Sequence, residues 1–269
     1  MSPLERVLAA YDSLLIGFSG GVDSSLLAVV ARRVLGKERA VAAVGTSLSL
    51  PAAQLEQARQ IADQFDLNLH EVNTDELDDP HYVANTTQRC YYCKRELWTK
   101  LVGAAKALGM SAVAEGTNAD DLGEHRPGLA AASEFAIKKP LADAGYTKAM
   151  VREEARMLGI PIWDAPAAPC LSSRLLYELP VTPERLSQVE AGEAFLRGLG
   201  IAGDLRVRHR GAEARIEVTK SEFPKVREAK GAIAGEFARL GFAQVTLDRS
   251  GYRRGSLLHE SEPELEVLL

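Results

Sequence analysis

The sequence predicts an α/β fold, a doubly wound parallel sheet with a smaller C-terminal α+β domain. Three observations carry this reading. Short apolar runs alternate with helical patterns from "SLLIGF" to Gly159, and a Gly-rich turn joins the first run to the first helix. The alternation stops at "IPIWDAPAAPCLSSRLLYELPVTPE", where five prolines interrupt any helical pattern. The boundary drawn there gives a first domain over residues 1–168 and a second over 169–269.

"SLLIGF" is a buried strand feeding the helix "VDSSLLAVVARRVLG", which ends at Gly36. "AVAAVGT" is a second strand, and "PAAQLEQARQIADQF" a helix with Pro51 in the first turn, where a missing N–H is tolerated. "LNLHEVN" is a third strand, "CYYCKRELWTKLVGAAKALG" a helix and "SAVAEGTN" a fourth strand. Helix "TKAMVREEARMLG" has Thr147 as N-cap and Gly159 as its stop. Strands that alternate with helices form a parallel sheet covered on both faces. Ligands of such sheets bind beyond the carboxyl ends of the strands, where "GFSGGVDS", "VGTS" and "EGTNADD" fall. After the boundary come a helix at "ERLSQVEAGEAFLRGLG", strands "DLRVRHR" and "ARIEVT", a helix through "EFPKVREAKGAIAGEFARLG" and a strand "AQVTLDR". The acidic tail "HESEPELEVLL" reads as partly disordered.

A chain of 269 residues, 46% hydrophobic and 26% charged, can bury a sizeable core. "MSPLERVLAAYDSLLIGF" shows no cleavage site, and no apolar run reaches membrane-spanning length, so a cytoplasmic protein without a membrane partner is expected. A net charge of -5 argues against nucleic acid as a partner. Three cysteines are no disulfide framework; they point to thiol chemistry or metal ligation, with buried structural thiols as the alternative. The C-x-x-C spacing of Cys90 and Cys93 makes that alternative weaker for those two.

In "SGGVDS" each residue type has a task if a pyrophosphate binds. Gly20 and Gly21 lack a Cβ, so the backbone turns tightly and brings its N–H groups against phosphate oxygens. Ser19 and Ser24 add hydroxyls, and the helix beginning at Val22 directs its positive end at the anion. Asp23 would repel phosphates unless it caps the helix or meets a bridging cation, which implies Mg2+. A plain Gly turn with a capping Asp or Ser is the rival reading, and placement together with composition favours phosphate.

The loop lacks the Lys of G-x-x-x-x-G-K-[ST] and resembles instead that of the ATP pyrophosphatase (PP-loop) superfamily, adenine nucleotide alpha hydrolase-like in fold. The resemblance implies that ATP is cleaved between its α and β phosphates and AMP is transferred to a substrate oxygen. Ser19, Gly20, Gly21, Val22, Asp23 and Ser24 are then expected at the ATP and Mg2+ site, with Asp23 and Ser24 in the chemistry. Gly116, Thr117 and Asp120 of "EGTNADD" join them. Asp120 and Asp121 either bind Mg2+, support the ATP site or cap a helix start.

The continuous stretch from "AEGTNADDLGEHRPG" to "PCLSSR", with "RCYYCK", "LRGLG" and "RVRHRGAEARIEV", is similar to the LarE family of ATP-dependent sulfur transferases. The family's substrate is pyridinium-3,5-biscarboxylic acid mononucleotide, whose carboxylates become thiocarboxylates during assembly of the nickel-pincer nucleotide cofactor of lactate racemase. In single-cysteine members the thiolate matching Cys170 surrenders its sulfur and becomes dehydroalanine. Arg174 would supply positive charge beside such a thiolate.

Cys90 and Cys93, at i and i+3, face one way and suit a metal. Zinc would need a further ligand, such as His70, His81, His125, His209 or His259, and a redox dithiol is another option. Three thiolates can instead hold a 4Fe-4S cluster with one open iron, which other family members use to carry exchangeable sulfide. The reading favours a cluster on Cys90, Cys93 and Cys170 over sacrifice of Cys170, because both thiol segments match the family.

Arg206, Arg208 and Arg210 alternate along one strand and would project from one face toward a phosphate or carboxylates. The resemblance selects Arg206 and Arg208. It also implies that Trp98 lies near the substrate, stacking on the pyridinium, although a buried helix aromatic fits as well. Glu193 aligns with a family acid, and a homo-oligomer is implied. A tRNA thiolase would share the cysteine pattern, but the acidic charge and the lack of an RNA-binding appendage oppose it. A glutamine-dependent ligase has no need of the cysteines, and a nucleotide sensor none of Cys170.

Overall fold

A computed structural model describes residues 1–123, 127–166, 168–253 and 264–269. His125 and His259, two of the candidate zinc ligands, lie outside the described residues. In chain order the elements begin with α1 (Pro3–Leu8), β1 (Leu14–Gly17), α2 (Val22–Leu35), β2 (Ala40–Thr46), α3 (Ala52–Gln64) and β3 (Asn68–Asn73). Then follow α4 (Pro80–Val83), α5 (Arg89–Ala107), β4 (Ala112–Ala114), α6 (Pro127–Glu134), α7 (Pro140–Asp143) and α8 (Lys148–Met157). The rest are α9 (Pro183–Gly198), β5 (Leu205–Arg210), β6 (Glu213–Val218), α10 (Phe223–Glu228), α11 (Lys230–Arg239), β7 (Gln244–Asp248) and β8 (Leu265–Val267). The chain divides into two compact units, Met1–Asp79 with Gln88–Ala168, and Pro80–Thr87 with Pro169–Leu269.

The first unit is built on a parallel sheet of order β3-β2-β1-β4. Alternation along the strands sorts their side chains to two cores. Leu14 and Ile16 of β1 and Ala40 and Ala42 of β2 pack with Leu26, Leu27 and Val30 of α2. Leu15, Val41, Ala43 and Val113 face the other way, onto Trp98, Leu101 and Ala105 of α5. That arrangement is the doubly wound sheet expected. The strand order turns back at β1, whose neighbours β2 and β4 lie on its two sides, so the crevice at its carboxyl end is where a ligand belongs. The expected fourth strand is shorter than "SAVAEGTN": β4 ends at Ala114, and residues 115–118 are irregular, with Gly116 close against the start of α2.

The second unit has a mixed sheet of order β5-β6-β7-β8, with β5/β6 and β7/β8 antiparallel and β6/β7 parallel. Leu205, Val207, Ile216, Val218, Val245 and Leu247 pack against Leu196 of α9, Val226 of α10 and Ile233 and Phe237 of α11. Two findings depart from the sequence reading. The expected single helix through 222–241 breaks at Ala229, where φ -85° and ψ 7° open the turn between α10 and α11. The end of the acidic tail is ordered: Leu265–Val267 forms β8, and Leu268 is buried in the core.

Residues 80–87, assigned by sequence to the first domain, pack with the second unit. Tyr82 is buried and its hydroxyl lies 2.6 Å from Ser172 Oγ. Asn85, also buried, takes a left-handed φ of 54°, which asparagine tolerates better than most residues, and donates to the carbonyls of Leu176 and Leu179, both at 2.8 Å. Among the described residues no helix is long and apolar enough to cross a membrane.

Candidate functional site

The loop "SGGVDS" leaves the carboxyl end of β1, and its carbonyls are taken up by α3. Gln54 Nε2 donates to the Ser19 carbonyl (2.9 Å) and Gln57 Nε2 to the Gly20 carbonyl (2.8 Å). Because a peptide's C=O and N–H point opposite ways, these bonds turn the N–H groups of Gly20 and Gly21 away from α3. Ser24 Oγ holds the loop from within. It donates to the Gly21 carbonyl (3.1 Å), accepts from Ser19 N–H (3.2 Å) and lies 3.1 Å from Ser19 Oγ. Gly20 has φ +70°, which a Cβ would strain, and that Cβ would also meet Ala58 at 3.0 Å.

Gly21 is the N-cap of α2 and provides no side-chain cap. The first intrahelical donor is Ser25 N–H to the Gly21 carbonyl (2.9 Å), so the N–H groups of Val22, Asp23 and Ser24 lie ahead of the ladder. Three orphan donors at a helix N-terminus, with the Gly20 N–H beside them and the Gly21 N–H held on Ser19 Oγ (3.3 Å), are an arrangement that suits an anion. Gly116 closes one wall, since a Cβ there would lie 2.7 Å from Ser24 N and 3.0 Å from Asp23 C.

Asp23 has a partner that the sequence reading lacked. Its carboxylate pairs with the Lys148 ammonium and accepts from Asn118 Nδ2 (3.1 Å). Asp120 and Asp121 adopt the capping role offered as the alternative to Mg2+. Asp120 Oδ2 accepts Lys148 N–H (2.8 Å) at the start of α8, and Asp121 Oδ2 accepts Asn118 N–H (3.2 Å). Thr117 Oγ1 is directed back to Glu115 Oε1 (2.8 Å). Near the end of β2, Ser47 and Ser49 both donate to the buried Glu76 carboxylate at 2.6 Å.

In the second unit the loop bearing Cys170 is held from several sides. Cys170 is the N-cap of a 3-10 turn over Leu171–Arg174 and its thiol is partly exposed. Its carbonyl accepts Ser173 N–H (3.0 Å), Ser173 Oγ (2.6 Å) and Arg174 Nη1 (2.8 Å). Arg174, only 4% exposed, also donates to the Pro169 carbonyl and forks onto Glu193 at 3.0 and 3.1 Å. Glu193 in turn accepts Val207 N–H at 3.1 Å. Arg174 and Glu193 therefore anchor the loop to α9 and β5, with the guanidinium committed to two carbonyls of the loop and a carboxylate.

Arg206 and Arg208 share one face of β5 as expected, but that face is buried. Arg208 forks onto Glu217 at 3.0 and 2.9 Å and donates to the Ser173 carbonyl (3.0 Å), which ties the sheet to the Cys170 turn. Arg206 lies over the Tyr252 ring, and burial together with the charge of Arg174 holds it below the usual arginine range. Arg210 pairs with Glu213 at 3.6 Å. Trp98 is 1% exposed, its ring against Gly17 in the α5 core with the Lys94 ammonium 4.9 Å from the ring centre.

Cys90 is exposed and Cys93 half-buried near the start of α5, and none of the three cysteines is in a disulfide. Among the described residues no three His, Cys, Asp or Glu side chains are gathered as a metal site. The donor set nonetheless suits an iron-sulfur group in kind, three accessible thiols on two separate segments. His209 is withdrawn from ligation. Its Nδ1 accepts Gly211 N–H (3.2 Å), which leaves Nε2–H to donate to Gln188 Oε1 (2.8 Å).

Burial, assisted by the charge of Arg185, pushes the His209 pKa from 6.5 down to about 4. Between these values the unfolded chain binds a proton that the folded one refuses. Stability should thus fall as pH drops from 6.5 toward 4, by roughly 3 kcal/mol at the end of the window, with no His209 contribution above it. Urea unfolding at several pH values should show a flatter acid limb in His209→Gln; an identical slope would contradict the assignment.

Fold and loop together define a nucleotide-binding α/β protein of the PP-loop class, and a profile of the NAD synthase family matches residues 6–90. The chain is 33% identical to the pyridinium-3,5-bisthiocarboxylic acid mononucleotide synthase of Lactiplantibacillus plantarum, over 94% of this chain and 92% of that one. It is 41% identical to an uncharacterized protein of Synechocystis over 94% of this chain and 95% of that one, and 32% identical to one of Methanocaldococcus jannaschii over 89% and 90%. The chain belongs to the family of that synthase, the LarE family.

Proposed function

We propose that the protein is an AMP-forming sulfur transferase that activates the carboxylates of pyridinium-3,5-biscarboxylic acid mononucleotide with ATP and converts them to thiocarboxylates for the nickel-pincer nucleotide cofactor. The observation that carries this is the occurrence, in one chain, of a lysine-free phosphate loop and a tightly held turn presenting an accessible thiol at Cys170. A substrate carboxylate oxygen attacks the α phosphorus, the bond from that phosphorus to the bridging oxygen breaks, and pyrophosphate leaves. The N–H groups of Val22, Asp23 and Ser24 receive the growing negative charge of the leaving group. The acyl carbon, now bearing AMP as leaving group, accepts sulfur, and AMP departs. Arg206 and Arg208 are the candidates for the substrate's anionic groups, with Arg174 and Glu193 holding the turn that carries Cys170.

Cys90, Cys93 and Cys170 are proposed to hold a 4Fe-4S cluster, which when bound supplies an iron without a protein thiolate for exchangeable sulfide. A second reading, transfer of the Cys170 sulfur itself, is favoured by the turn that fixes Cys170 alone. Anaerobic reconstitution separates them. The cluster reading expects a full complement of iron and acid-labile sulfide, lost in Cys93→Ala, with Cys170 intact after turnover. Dehydroalanine at position 170, matching product one to one, would establish the sacrificial route.

A further inference from the structure

Residues 80–87 leave the first unit and the chain re-enters it at Gln88, with both ends of this excursion fastened to α5. Asp79, just before it, accepts from Arg95 Nη2 of α5 (2.8 Å), and Gln88, just after it, is the N-cap of that helix. The excursion itself is stitched to residues 172–181. Tyr82 and Ser172 share a hydroxyl contact of 2.6 Å, and the carbonyls of Val83 and Asn85 accept the N–H groups of Val181 (2.9 Å) and Glu178 (3.1 Å). Asn85 Nδ2 adds its two bonds to the Leu176 and Leu179 carbonyls. Among the described residues four other than glycine are left-handed, and two of them, Asn85 (φ 54°) and Glu178 (φ 67°), are bonded to each other here. Such conformations persist only where their surroundings over-determine them, and they collect at sites whose geometry matters.

What the stitch joins is two thiol segments. Ser172 follows Cys170 by two residues and is fully buried in the 3-10 turn that Cys170 caps. Cys90 follows Thr87 by three, so the chain holds its Cα within about 11 Å of that of Thr87. We infer that residues 80–87 are a strap coupling the Cys170 turn to the start of α5, and that Asn85 is the positioning residue that locks it. Thiols used together gain from being ordered beforehand, because a loop ordered only at the moment of binding weakens that binding. The inference rests on the proposed joint use of the three thiols, and cross-linking without iron tests the two separately.

A Cys93→Ser background leaves Cys90 and Cys170 as the only thiols. The iron-free chain is treated with a bis-methanethiosulfonate of two-carbon spacer, and the products are mapped by mass spectrometry. A Cys90–Cys170 cross-link is expected. Asn85→Gly keeps the left-handed backbone and removes the amide. It should slow the cross-link tenfold or more relative to each thiol's reaction with a monofunctional reagent, since a freed strap lowers the effective concentration of one thiol at the other. Tyr82→Phe, which keeps the ring and loses only the bond to Ser172, should slow it about threefold and carries the test if Asn85→Gly does not fold by circular dichroism. A residue with a merely structural part would lower the melting temperature and leave the rate ratio alone. An unchanged ratio in the folded variants therefore overturns the inference while the three-thiol reading stands. Absence of the cross-link with Asn85 and Tyr82 in place would overturn that reading, and the inference with it.

Discussion

Gly116→Ala is expected to lower substrate-dependent pyrophosphate release by about a hundredfold or more, the scale on which a displacement near 1 Å disturbs positioned chemistry. The new Cβ would stand 2.7 Å from Ser24 N and 3.0 Å from Asp23 C, and both are backbone atoms that no rotamer change can move aside. Either the turn after β4 retreats or the first turn of α2 does. In both cases the orphan N–H groups leave the position that the loop serines and the α3 glutamines set for them. The effect should fall on chemistry and nucleotide affinity and leave the second unit's unfolding unchanged. Release within threefold of wild type would show that the two turns yield without cost.

The second large effect is on stability. Glu217 and Arg208 are 3% and 7% exposed and share a two-pronged pair on the sheet face opposite the α9–α11 core. Glu217→Gln leaves a buried guanidinium without its counter-ion, which typically costs about 3–5 kcal/mol. Replacing both, as Arg208→Met with Glu217→Leu, should recover most of that loss, because apolar residues of similar volume do not carry the desolvation penalty. The double variant would still release the Ser173 carbonyl, so the Cys170 turn should lose order although the fold is regained. Chemical unfolding of the three variants checks the first statement, and hydrogen exchange at 171–174 checks the second. A change below 1 kcal/mol in Glu217→Gln would mean that the face is already wet.

Much of this was legible in the sequence because it rested on short-range signals. Alternating strands and helices announced the doubly wound sheet, and "SGGVDS" announced a tight turn into a helix through residue types that act on their own backbone. Long-range partners were not legible. Nothing in "YTKAM" tells that Lys148 will meet Asp23, 125 residues earlier in the chain. The cue available was weak: a cation directly after a Thr N-cap, against the dipole. Glu217 carried a similar cue as a lone acid between Ile216 and Val218 in a strand. The arginine stripe was read in the right register, but spacing reports which face residues share and not whether the face is covered. Trp98 was divided between core and ligand for the same reason; its ring packs against Gly17 in the α5 core.

The central claim is that adenylation by ATP delivers sulfur to a carboxylate. The most direct test supplies the protein anaerobically with Mg-ATP, pyridinium-3,5-biscarboxylic acid mononucleotide and sulfide, then measures AMP, pyrophosphate and the mass of the small-molecule product together. One AMP and one pyrophosphate for each carboxylate oxygen replaced by sulfur is the expected result. AMP and pyrophosphate formed with a nitrogen-containing product, or thiocarboxylate formed without ATP cleavage, would contradict it.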